Sequence, residues 1–388
     1  MRNVIFINSH PIQYFAPLYK FMNEQGTPIT AWYCSDASIK GGHDKGFGVK
    51  VKWDVPLLEG YKYRFFKNYS WKPSHSKGFF GLMNLGMIRE LFRIPKSIII
   101  VHGWNYFSHV FILLFGRLRG HTMCLRCETP QNQEILKTGF KQLLKRAGLK
   151  HILFPCVNYF LYIGSQNQLF YEKYRLPDSR LIFCPYSVDD NRFRAEWQRL
   201  TPHRAIIKRK LGIGPKDKVI LYSGKYITKK RPLDLLNAFV ALNKPDCWLI
   251  MVGEGELRKE MEILIREKNA NNVVLTGFVN QSAISEYYAI SDVFVMCSEI
   301  GETWGLSVNE AMNFNLPVII SDLTGCSQDL VNEGINGYIF KTGDINELTT
   351  KLKHVLVDNK LSGAQNSQNI LKKFSYSVIH ANLTRVLG

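Results

Sequence analysis

The chain has 388 residues, of which 46% are hydrophobic and 13% aromatic, with 50 Lys and Arg against 32 Asp and Glu, a formal net charge of +18. This composition excludes a disordered or fibrous protein, and the length predicts two domains. Residues 1–200 carry 28 Lys and Arg against 13 Asp and Glu, a net charge of +15, whereas the second half is nearly neutral. The first half is therefore expected to attract an anionic partner: a lipid, a nucleic acid or a phosphorylated acceptor.

Short apolar runs alternate with longer helical patterns along the whole chain, which predicts parallel sheets with crossover helices. In the first half, strands are expected near Val4–Ile7, Thr30–Tyr33, Ser97–Val101, Thr122–Leu125, Leu161–Ile163 and Leu181–Phe183. In the second half, they are expected near Val219–Tyr222, Trp248–Val252, Val273–Thr276, Val293–Met296, Val318–Ile320 and Tyr338–Phe340. A polar stretch between residues 190 and 217 separates the two blocks. We predict one domain over residues 1–195, a second over 196–365, and a closing helix over 366–388 that packs back on the first.

The cysteines and the apolar segments indicate in which cellular compartment the protein is expected. The eight cysteines are scattered and lie mostly in apolar runs, which is typical of reduced core residues. Cys124 and Cys127 form a lone C-x-x-C pair, for which we favour packing in a buried strand over a zinc site. The first apolar run is too short for a signal peptide, and none reaches the roughly 18 residues of a transmembrane helix. These features predict a cytoplasmic protein. Any association with a membrane is then expected at its inner face.

Two glutamates in the segment 298–312 are the first candidate site residues. Glu302 falls in a loop after a predicted strand, and a helix is expected to begin near Gly305 or Leu306, so its first amides point into the cleft at the sheet edge. Such amides suit hydroxyl or phosphate oxygens. Glu310, about one turn inside the helix, can accept hydrogen bonds from a vicinal diol such as a ribose. The alternative of two solvated surface charges is disfavoured by the surrounding Gly, Pro and apolar residues.

In this segment the sequence resembles glycosyltransferase family 4, whose hallmark E-x7-E is written here as Glu302-x7-Glu310. The resemblance is strong over about residues 215–360 and loose in the first half. It also rests on GEGELR at 253–258, LTGFV at 275–279 and NEGINGY at 332–338. The resemblance implies an α/β protein of the GT-B fold, with two Rossmann-like doubly wound domains facing a cleft. It also implies a retaining enzyme that transfers a sugar from a nucleoside-diphosphate donor.

A lysine-rich segment, SGKYITKKRP at 223–232, matches the family's phosphate-binding block. By this resemblance Gly224, Lys225 and Lys230 would bind the diphosphate of the donor. Lys225 stands where relatives usually have Arg, so the charge is kept but the planar, bidentate fork is lost. Arg231 is a spare cation. A solvated lysine-rich turn is the alternative interpretation.

The resemblance assigns further donor-site residues. Glu302 would lie at the donor sugar and act with Lys230 as the catalytic pair, and Glu310 would bind the ribose. The remaining donor-binding residues are Phe278 and Val279 at the base, and Thr303, Trp304, Gly305 and Leu306 at the sugar hydroxyls. No Asp-x-Asp pair occurs, so no metal is expected, and lysines and helix amides would balance the charge of the diphosphate. No cofactor is expected besides the nucleotide sugar, which is a co-substrate.

The first half departs from the family at two places. After the first strand, where many relatives have a Gly-Gly loop, this chain has His10 and Gln13, which either donate to the ligand or bond locally. After the strand 122–125, where many relatives have a His, it has Arg126 and Glu128. The candidate donor or acceptor contacts of the first half are therefore His10, Gln13, His102, Trp104, Arg126 and Glu128.

Two basic stretches account for the charge of the first half. The segment 61–72 interleaves rings and cations, as at a bilayer interface or along single-stranded nucleic acid. The segment 137–150 predicts a cationic helix whose apolar side either packs on the domain or faces a membrane. Two such runs favour docking on an anionic membrane, which suits an enzyme of cell-envelope polysaccharide synthesis with a glycan or lipid-linked acceptor.

Two other functions explain parts of the same sequence. A sugar-nucleotide epimerase or a phosphorylase of the same fold would use the same donor residues. A basic nucleic-acid-binding protein would explain the charge, but the chain contains no recognised nucleic-acid-binding module, and the basic stretches lie apart from the motifs of the second half. We therefore predict a nucleotide-sugar donor and a glycan or lipid-linked acceptor as partners, and no nucleic acid.

Overall fold

The computed structural model describes residues 3–44, 46–358, 361 and 365–387. Spatial contacts divide the chain into two units. Unit 1 comprises Met1–Gly42, Val55–Tyr186 and Tyr376–Gly388, and unit 2 comprises His43–Asp54 and Ser187–Ser375. Residues 43–54 are thus grouped with unit 2, whereas the sequence assigned all of 1–195 to the first domain.

Nine strands precede residue 187 among the residues that the structure describes. They are β1 (Val4–Asn8), β2 (Ile29–Tyr33), β3 (Gly42–Asp44), β4 (Val49–Val51), β5 (Lys62–Phe65), β6 (Ile98–His102), β7 (Thr122–Arg126), β8 (Tyr159–Tyr162) and β9 (Leu181–Phe183). Seven of them form a sheet in the order β5-β2-β1-β6-β7-β8-β9, in which all described pairs are parallel. β3 and β4 form a separate two-stranded sheet. The sequence did not predict β3, β4 or β5, which are short and carry few buried residues.

Helices cover the sheet of unit 1 because its central strands are buried on both faces, as continuous apolar runs in parallel sheets require. The helices before residue 187 are α1 (Ala16–Glu24), α2 (Ala37–Lys40), α3 (Leu85–Leu91), α4 (Phe107–Arg119), α5 (Gln131–Glu134), α6 (Phe140–Gly148) and α7 (Ser165–Glu172). The chain goes from β1 to one neighbour, β2, and later continues from the other neighbour, β6. The loops after β1 and β6 therefore flank a topological switch point, where open parallel sheets bind ligands.

Unit 2 repeats this plan with a six-stranded sheet. Its strands are β10 (Lys218–Ser223), β11 (Cys247–Val252), β12 (Val273–Leu275), β13 (Val293–Met296), β14 (Val318–Ser321) and β15 (Gly337–Phe340). The order is β12-β11-β10-β13-β14-β15, with parallel pairs throughout. The switch point lies between β10 and β13, so the loops after these two strands are where a ligand is expected.

The helices of unit 2 lie before, between and after these strands. They are α8 (Asp190–Leu200), α9 (Arg204–Lys210), α10 (Pro232–Leu242), α11 (Arg258–Glu267), α12 (Ile284–Ile290), α13 (Leu306–Asn313), α14 (Ser327–Leu330), α15 (Ile345–Leu356) and α16 (Gln365–Lys372). The core of this unit joins apolar side chains of the sheet to those of α10 and α15. In the described part of the chain, no helix combines the length and apolar character needed to cross a membrane.

The last helix, α17 (Tyr376–Leu387), belongs to unit 1. His380 Nε2 lies 2.9 Å from Thr27 Oγ1, and Asn382 Nδ2 donates to the carbonyl of Phe183 at 2.9 Å. The predicted closing segment 366–388 thus contains two helices, of which α16 is grouped with unit 2. The break falls at Phe374, whose buried ring packs against Trp304.

Candidate functional site

The loops after β10 and β13 bring the predicted donor-site residues of unit 2 together. β10 ends at Ser223, and its loop passes through Gly224 to a short turn over Thr228–Lys230. A neighbouring loop crosses here at Gly253, whose φ is +151° and where a Cβ would lie 1.8 Å from the carbonyl oxygen of Gly224. Only glycine tolerates both the conformation and the close approach. The sequence pattern GEGE therefore has a direct packing reason.

Lys230 and Glu302 form the centre of this site. The ammonium of Lys230 contacts Oε2 of Glu302, and the two side chains are only 18% and 14% exposed. Ser298 Oγ also donates to the same carboxylate oxygen, at 3.3 Å. The predicted catalytic pair is thus adjacent in space, and a partly buried ion pair of this kind can exchange its partners for ligand groups of the same charges.

Lys229 adds a third positive charge that the sequence did not single out. Burial lowers the pKa of Lys229, Glu302 opposes this effect, and the nearby Lys230 and Lys225 lower the pKa further. Ammonium groups that repel one another at the carboxyl end of a parallel sheet form a field suited to a multiply charged anion. The only signal in the sequence was the position of Lys229 beside Lys230.

Lys225 and Arg231 already have carboxylate partners in unit 2. Lys225 Nζ lies 2.7 Å from Asp44 Oδ1 and 4.6 Å from the centre of the Phe47 ring. Arg231, expected to be a spare cation, pairs with Asp234 at 2.6 Å and with Glu299 at 3.0 Å. Arg231 therefore holds the start of α10 against the loop after β13, which is a structural role.

Glu310 lies inside α13, 2% exposed, with a hydrogen-bond shell that the sequence did not predict. Tyr288 Oη donates to its Oε2 at 2.8 Å, and Gln281 Nε2 donates to its Oε1 at 3.4 Å. Arg192 in turn fixes Gln281 through its backbone and side-chain oxygens, at 3.0 and 2.8 Å. A carboxylate held in this way is preorganised to accept hydrogen bonds from a ligand.

The start of α13 follows the glutamate loop as predicted. Gly305 has a φ of +104° at the N-cap of α13, and a Cβ there would meet Met296 Sδ at 2.8 Å. The amides in the first turn of an α-helix have no partner within the helix, and in α13 this turn begins at Leu306. The side chain of Trp304 is buried and donates to Asn309 Oδ1 at 2.9 Å, so only the backbone of Trp304 is suited to a ligand.

The predicted base-binding residues lie on the loop after β12. Phe278 is half-buried, and its ring centre lies 4.9 Å from that of Phe47 and 6.0 Å from that of Trp53. Val279 follows it and is also half-buried. Aromatic side chains of residues 43–54 thus pack on the position assigned to the base.

In unit 1, the predicted residues after β1 and β6 lie at the switch point of the sheet. His102 is packed edge-on against Phe15, with ring centres 4.4 Å apart. Neither ring nitrogen of His102 has a hydrogen-bond partner among the described residues, and the same holds for Oε1 of the buried Gln13. Burial lowers the pKa of His102 well below 6.5, and the charge of Arg126 lowers it further. His102 is therefore a neutral imidazole with free hydrogen-bonding capacity.

His10 and Trp104 have local partners. The Nδ1 atom of His10 lies 2.9 Å from Ser9 Oγ, and its ring centre lies 4.3 Å from that of His75. Burial and then the charge of His75 lower the pKa of His10 to about 4. Trp104 stacks on Phe170 and packs against the core of unit 1. His10 thus has local partners in Ser9 and His75, and its role at a ligand stays a prediction.

Arg126 and Glu128 form a structural ion pair within aromatic packing. The guanidinium of Arg126, 3% exposed, lies 5.0 Å from the ring centre of Phe15 and 4.3 Å from that of Tyr186. Its Nη1 lies 3.5 Å from Glu128 Oε1, and the Tyr186 hydroxyl donates to the same oxygen. These contacts position the end of β7 and bring a fixed positive charge close to His102.

Across the described ranges, no group of three or more His, Cys, Asp and Glu residues is placed to hold a metal ion. Cys124 and Cys127 are both buried, and Tyr171 Oη donates to Cys127 Sγ at 2.9 Å. The C-x-x-C pair is therefore packed in and after β7.

Known proteins resemble part of the chain in sequence. Residues 203–373 match the family model described as glycosyl transferases group 1. Sulfoquinovosyl transferase SQD2 of Arabidopsis thaliana is 34% identical over 149 residues, 38% of this chain and 28% of that protein. Alpha-monoglucosyldiacylglycerol synthase of Acholeplasma laidlawii is 30% identical over 177 residues, 44% of each chain. The matches thus span less than half of these relatives.

Solved structures resemble the chain over its whole length. The Anabaena Alr3699/HepE structure with UDP and glucose has a TM-score of 0.71 at 14% identity and covers 100% of this chain and 99% of that one. This similarity confirms the predicted GT-B fold with two Rossmann-like sheets. The family match confirms the resemblance to family 4 glycosyltransferases in the second half of the chain.

Proposed function

We propose that this chain, whose residues 203–373 match the glycosyl transferases group 1 family, is a retaining glycosyltransferase that takes its sugar from a nucleoside-diphosphate donor. The observation that carries the proposal is the group of lysines around Glu302 at the switch point of unit 2. Three ammonium groups with one central carboxylate suit a sugar diphosphate, which presents negative phosphates beside neutral hydroxyls. The Anabaena structure of the same fold contains UDP and glucose, which supports this donor class.

In this proposal each part of the donor meets a chemically matched group. The diphosphate binds Lys225 and Lys230, with Lys229 adding charge and the loop at Gly224 approaching through its backbone. The ribose diol donates to Glu310, and the base lies against Phe278 and Val279. The donor sugar lies at Glu302 and the segment 303–306, where helix amides are oriented towards oxygen atoms. The proposal gives the balance of charge to lysines and amides, so it needs no metal and no cofactor.

The proposed reaction forms one bond, breaks another and transfers one proton. The acceptor hydroxyl oxygen forms a bond to the anomeric carbon on the face from which the diphosphate leaves, and the bond between that carbon and the phosphate oxygen breaks. The hydroxyl proton passes to the departing phosphate. Lys230 stabilises the negative charge that develops on this leaving group, which is the term expected to dominate the rate. Glu302, released from Lys230, accepts hydrogen bonds from the sugar and holds it in place.

We assign the acceptor to unit 1, at the switch point between β1 and β6. His102 and Gln13 support this assignment, because the ring nitrogens of His102 and the side-chain oxygen of Gln13 are buried without a partner in the described part of the chain. Such atoms are costly unless a ligand or water satisfies them. A neutral imidazole and an amide suit hydroxyl groups of a glycan or a lipid-linked sugar. His10, Trp104, Arg126 and Glu128 shape this position through their packing.

A lipid-linked acceptor is supported by an exposed apolar surface around α6, which we call the α6 surface. Its members are Ile135, Leu136, Phe140, Leu143, Leu144 and Ile152, all exposed by more than half. Of the apolar side chains that the sequence placed on this helix, Leu143 and Leu144 are exposed, whereas Leu149 packs in the core of unit 1. Exposed lysines at 141 and 150 flank them, whereas Lys137 and Lys145 pair with the buried Glu134. Apolar side chains rimmed by cations suit the anionic inner face of a membrane, with the enzyme in the cytoplasm.

A thermal-shift panel with UDP, GDP, ADP, TDP and CMP and their sugars, without added metal, tests the donor assignment. One nucleoside diphosphate should raise the Tm of the wild type, because a ligand at 100 times its Kd adds about 2.7 kcal/mol. Glu310→Ala should lose the shift, whereas Lys244→Ala, a surface lysine of unit 2, should keep it. Transfer to an added glycan, rather than epimerised or phosphorolysed product, then separates the transferase from the alternatives. No shift with any nucleotide would contradict the proposal.

Vesicle co-sedimentation tests the α6 surface. The wild type should bind vesicles containing phosphatidylglycerol more strongly than pure phosphatidylcholine, and salt should weaken this binding. The double variant Phe140→Ser, Leu143→Ser should bind at least about tenfold more weakly, because it removes two large apolar contacts. Leu118→Ser changes a leucine on α4 that is even more exposed and serves as the control. Equal losses in both variants would contradict a membrane role for this surface.

A further inference from the structure

The described residues of the segment 43–54, which are 43, 44 and 46–54 and which we call the strap, pack on the donor site of unit 2 although they lie far from it in the sequence. The strap contains the end of β3 and all of β4. Its C-terminal end is fixed by Asp54, which accepts from the amide and hydroxyl of Ser282, and by Lys52, whose carbonyl accepts from Asn280 Nδ2 at 2.7 Å. This end of the strap therefore lies against the loop after β12, where the base is proposed to bind.

The N-terminal end of the strap encloses the side chain of Lys225. Asp44 Oδ1 accepts from Lys225 Nζ at 2.7 Å and from the amides of Gly46 and Phe47 at 2.8 and 3.0 Å. Phe47 places its ring 4.6 Å from the same ammonium. A Cβ at Gly46 would lie 2.6 Å from Cδ of Lys225, so the backbone of the strap lies directly against this side chain.

The charge of Asp44 is stabilised by this arrangement. Burial raises the pKa of Asp44, but the hydrogen bonds from Lys225 and from the two amides outweigh burial, and the pKa lies below 3.8. Asp44 is therefore an anion at neutral pH, and it binds the ammonium through an oxygen, as a phosphate would. A diphosphate on Lys225 would face this carboxylate at close range, and like charges repel.

We propose that Asp44 is a further specificity-determining residue of the donor site, which competes with the diphosphate for Lys225. This inference rests on the proposed function, because it takes Lys225 as a ligand of the donor phosphates. Only a ligand that carries the diphosphate gains enough from the lysines to displace Asp44. A nucleoside makes no such gain, so its binding does not depend on Asp44. Asp44 thus lowers the affinity for the diphosphate and leaves the affinity for the base and ribose unchanged.

Calorimetric titration of four proteins tests this competition: the wild type, Asp44→Asn, Lys225→Ala and the double variant. The probes are the nucleoside diphosphate that stabilises the wild type and the matching nucleoside. Asn keeps the oxygen that accepts from Gly46 and Phe47, so Asp44→Asn should fold. Asp44→Asn should bind the diphosphate about three- to fivefold more tightly, as expected for a partly exposed ion pair, and the nucleoside equally well. In the Lys225→Ala background the same change should have no effect.

Asp54→Asn is the matched control, because it removes the same charge at the other end of the strap. An equal gain in affinity in Asp54→Asn would show a general charge effect and overturn the proposal. Weaker or unchanged diphosphate binding by Asp44→Asn would also overturn it, as would a gain that persists without Lys225. If Lys225→Ala weakens binding while Asp44→Asn changes nothing, only the role of Asp44 fails. If no nucleotide binds the wild type, the donor site itself fails.

Discussion

The two units of this chain hold polar side chains at their switch points in opposite ways. In unit 2 the charges are paired: Lys230 with Glu302, and Lys225 with Asp44. In unit 1 the ring nitrogens of His102 and Oε1 of Gln13 are buried and have no hydrogen-bond partner among the described residues, and the His102 ring packs against Phe15. Ion pairs can be exchanged for a ligand that carries the same charges, whereas neutral, unpartnered groups suit a ligand of hydroxyls. The difference supports the proposal that the charged donor binds unit 2 and the neutral acceptor binds unit 1.

The largest expected effect comes from the central ion pair of unit 2. Lys230→Ala removes the cation that stabilises the leaving diphosphate, so kcat/KM for transfer should fall by about 100-fold or more. Initial rates of transfer with the donor from the nucleotide panel measure this effect. Lys244→Ala should keep the wild-type rate, because Lys244 pairs only with Asp246 on the surface. Activity of Lys230→Ala within a factor of about two of the wild type would show that the pair is structural.

Glu310 gives the next largest effect, on recognition of the ribose. The wild type should bind the nucleoside diphosphate about tenfold more tightly than its 2′,3′-dideoxy form, since a hydrogen bond to a charged group is lost. In Glu310→Gln, which keeps the shape of the side chain, this ratio should fall to about two- or threefold. Glu286→Gln changes an exposed glutamate of α12 and should keep the full ratio. Equal ratios in the wild type and Glu310→Gln would place the ribose elsewhere.

The fold was predictable because its signal is local. Buried parallel strands are predicted by continuous apolar runs such as Val4–Asn8, and their ends in unit 2 by the glycines that follow. Neither signal requires knowledge of the neighbouring strands. The edge strand β5 was missed because its sequence, KYRF, is basic and mostly exposed, so its pattern resembles an interface segment. The pairing of β5 with β2 depends on the rest of the sheet and leaves no local pattern.

The site was predictable where a motif carries it and not where partners come from distant segments. Glu302, Glu310, Lys225 and Lys230 follow from a family pattern of fixed spacing. The partners of Glu310 come from α12 and the loop before it, and no spacing links them to E-x7-E. Asp44 lies 181 residues from Lys225. Only the folded chain brings these residues together, so the strap could not have been found in the sequence.

A smaller effect is expected at the acceptor position of unit 1. His102→Ala should raise the KM for the acceptor about three- to tenfold, the value of one or two neutral hydrogen bonds, and leave the Kd of the nucleotide unchanged. His102→Gln, which can still donate and accept, should recover part of the loss. Because burial lowers the pKa of His102 well below 6.5, neither kinetic parameter should show a titration of this group between pH 6 and pH 8.

His151→Ala, an exposed histidine of unit 1, is the control for this comparison. A rise in the donor Kd equal to the rise in the acceptor KM would contradict the division of roles between the units. A fall in kcat with no change in KM would contradict the acceptor contact and move His102 to the reacting centre.

The smallest effect on activity is expected at Asp190, the first residue of α8, which tests whether a response to pH belongs to unit 2. Burial raises the pKa of Asp190 from 3.8 to about 6, although Asn313 Nδ2 donates to its Oδ1 at 2.8 Å. Between these two values the folded protein binds more protons at this site than the unfolded chain does. The free energy of unfolding therefore falls as the pH rises through this window. In unit 1, by contrast, the pKa of His10 is about 4, so His10 is neutral over most of this pH window.

Asp190→Asn removes the titrating carboxyl and keeps an oxygen for Asn313. The Tm of Asp190→Asn minus that of the wild type should therefore increase between pH 4 and pH 7.5, by about 2 to 4 °C for each kcal/mol of penalty removed. Asp246→Asn, at an exposed aspartate, should show no such increase, and transfer activity should stay within about twofold of the wild type in both. If the difference in Tm is the same at both pH values, Asp190 is ionised in the folded state throughout. Asp190 would then be an anion at neutral pH like Asp44 of the same unit, in contrast to the neutral imidazole of His102 in unit 1.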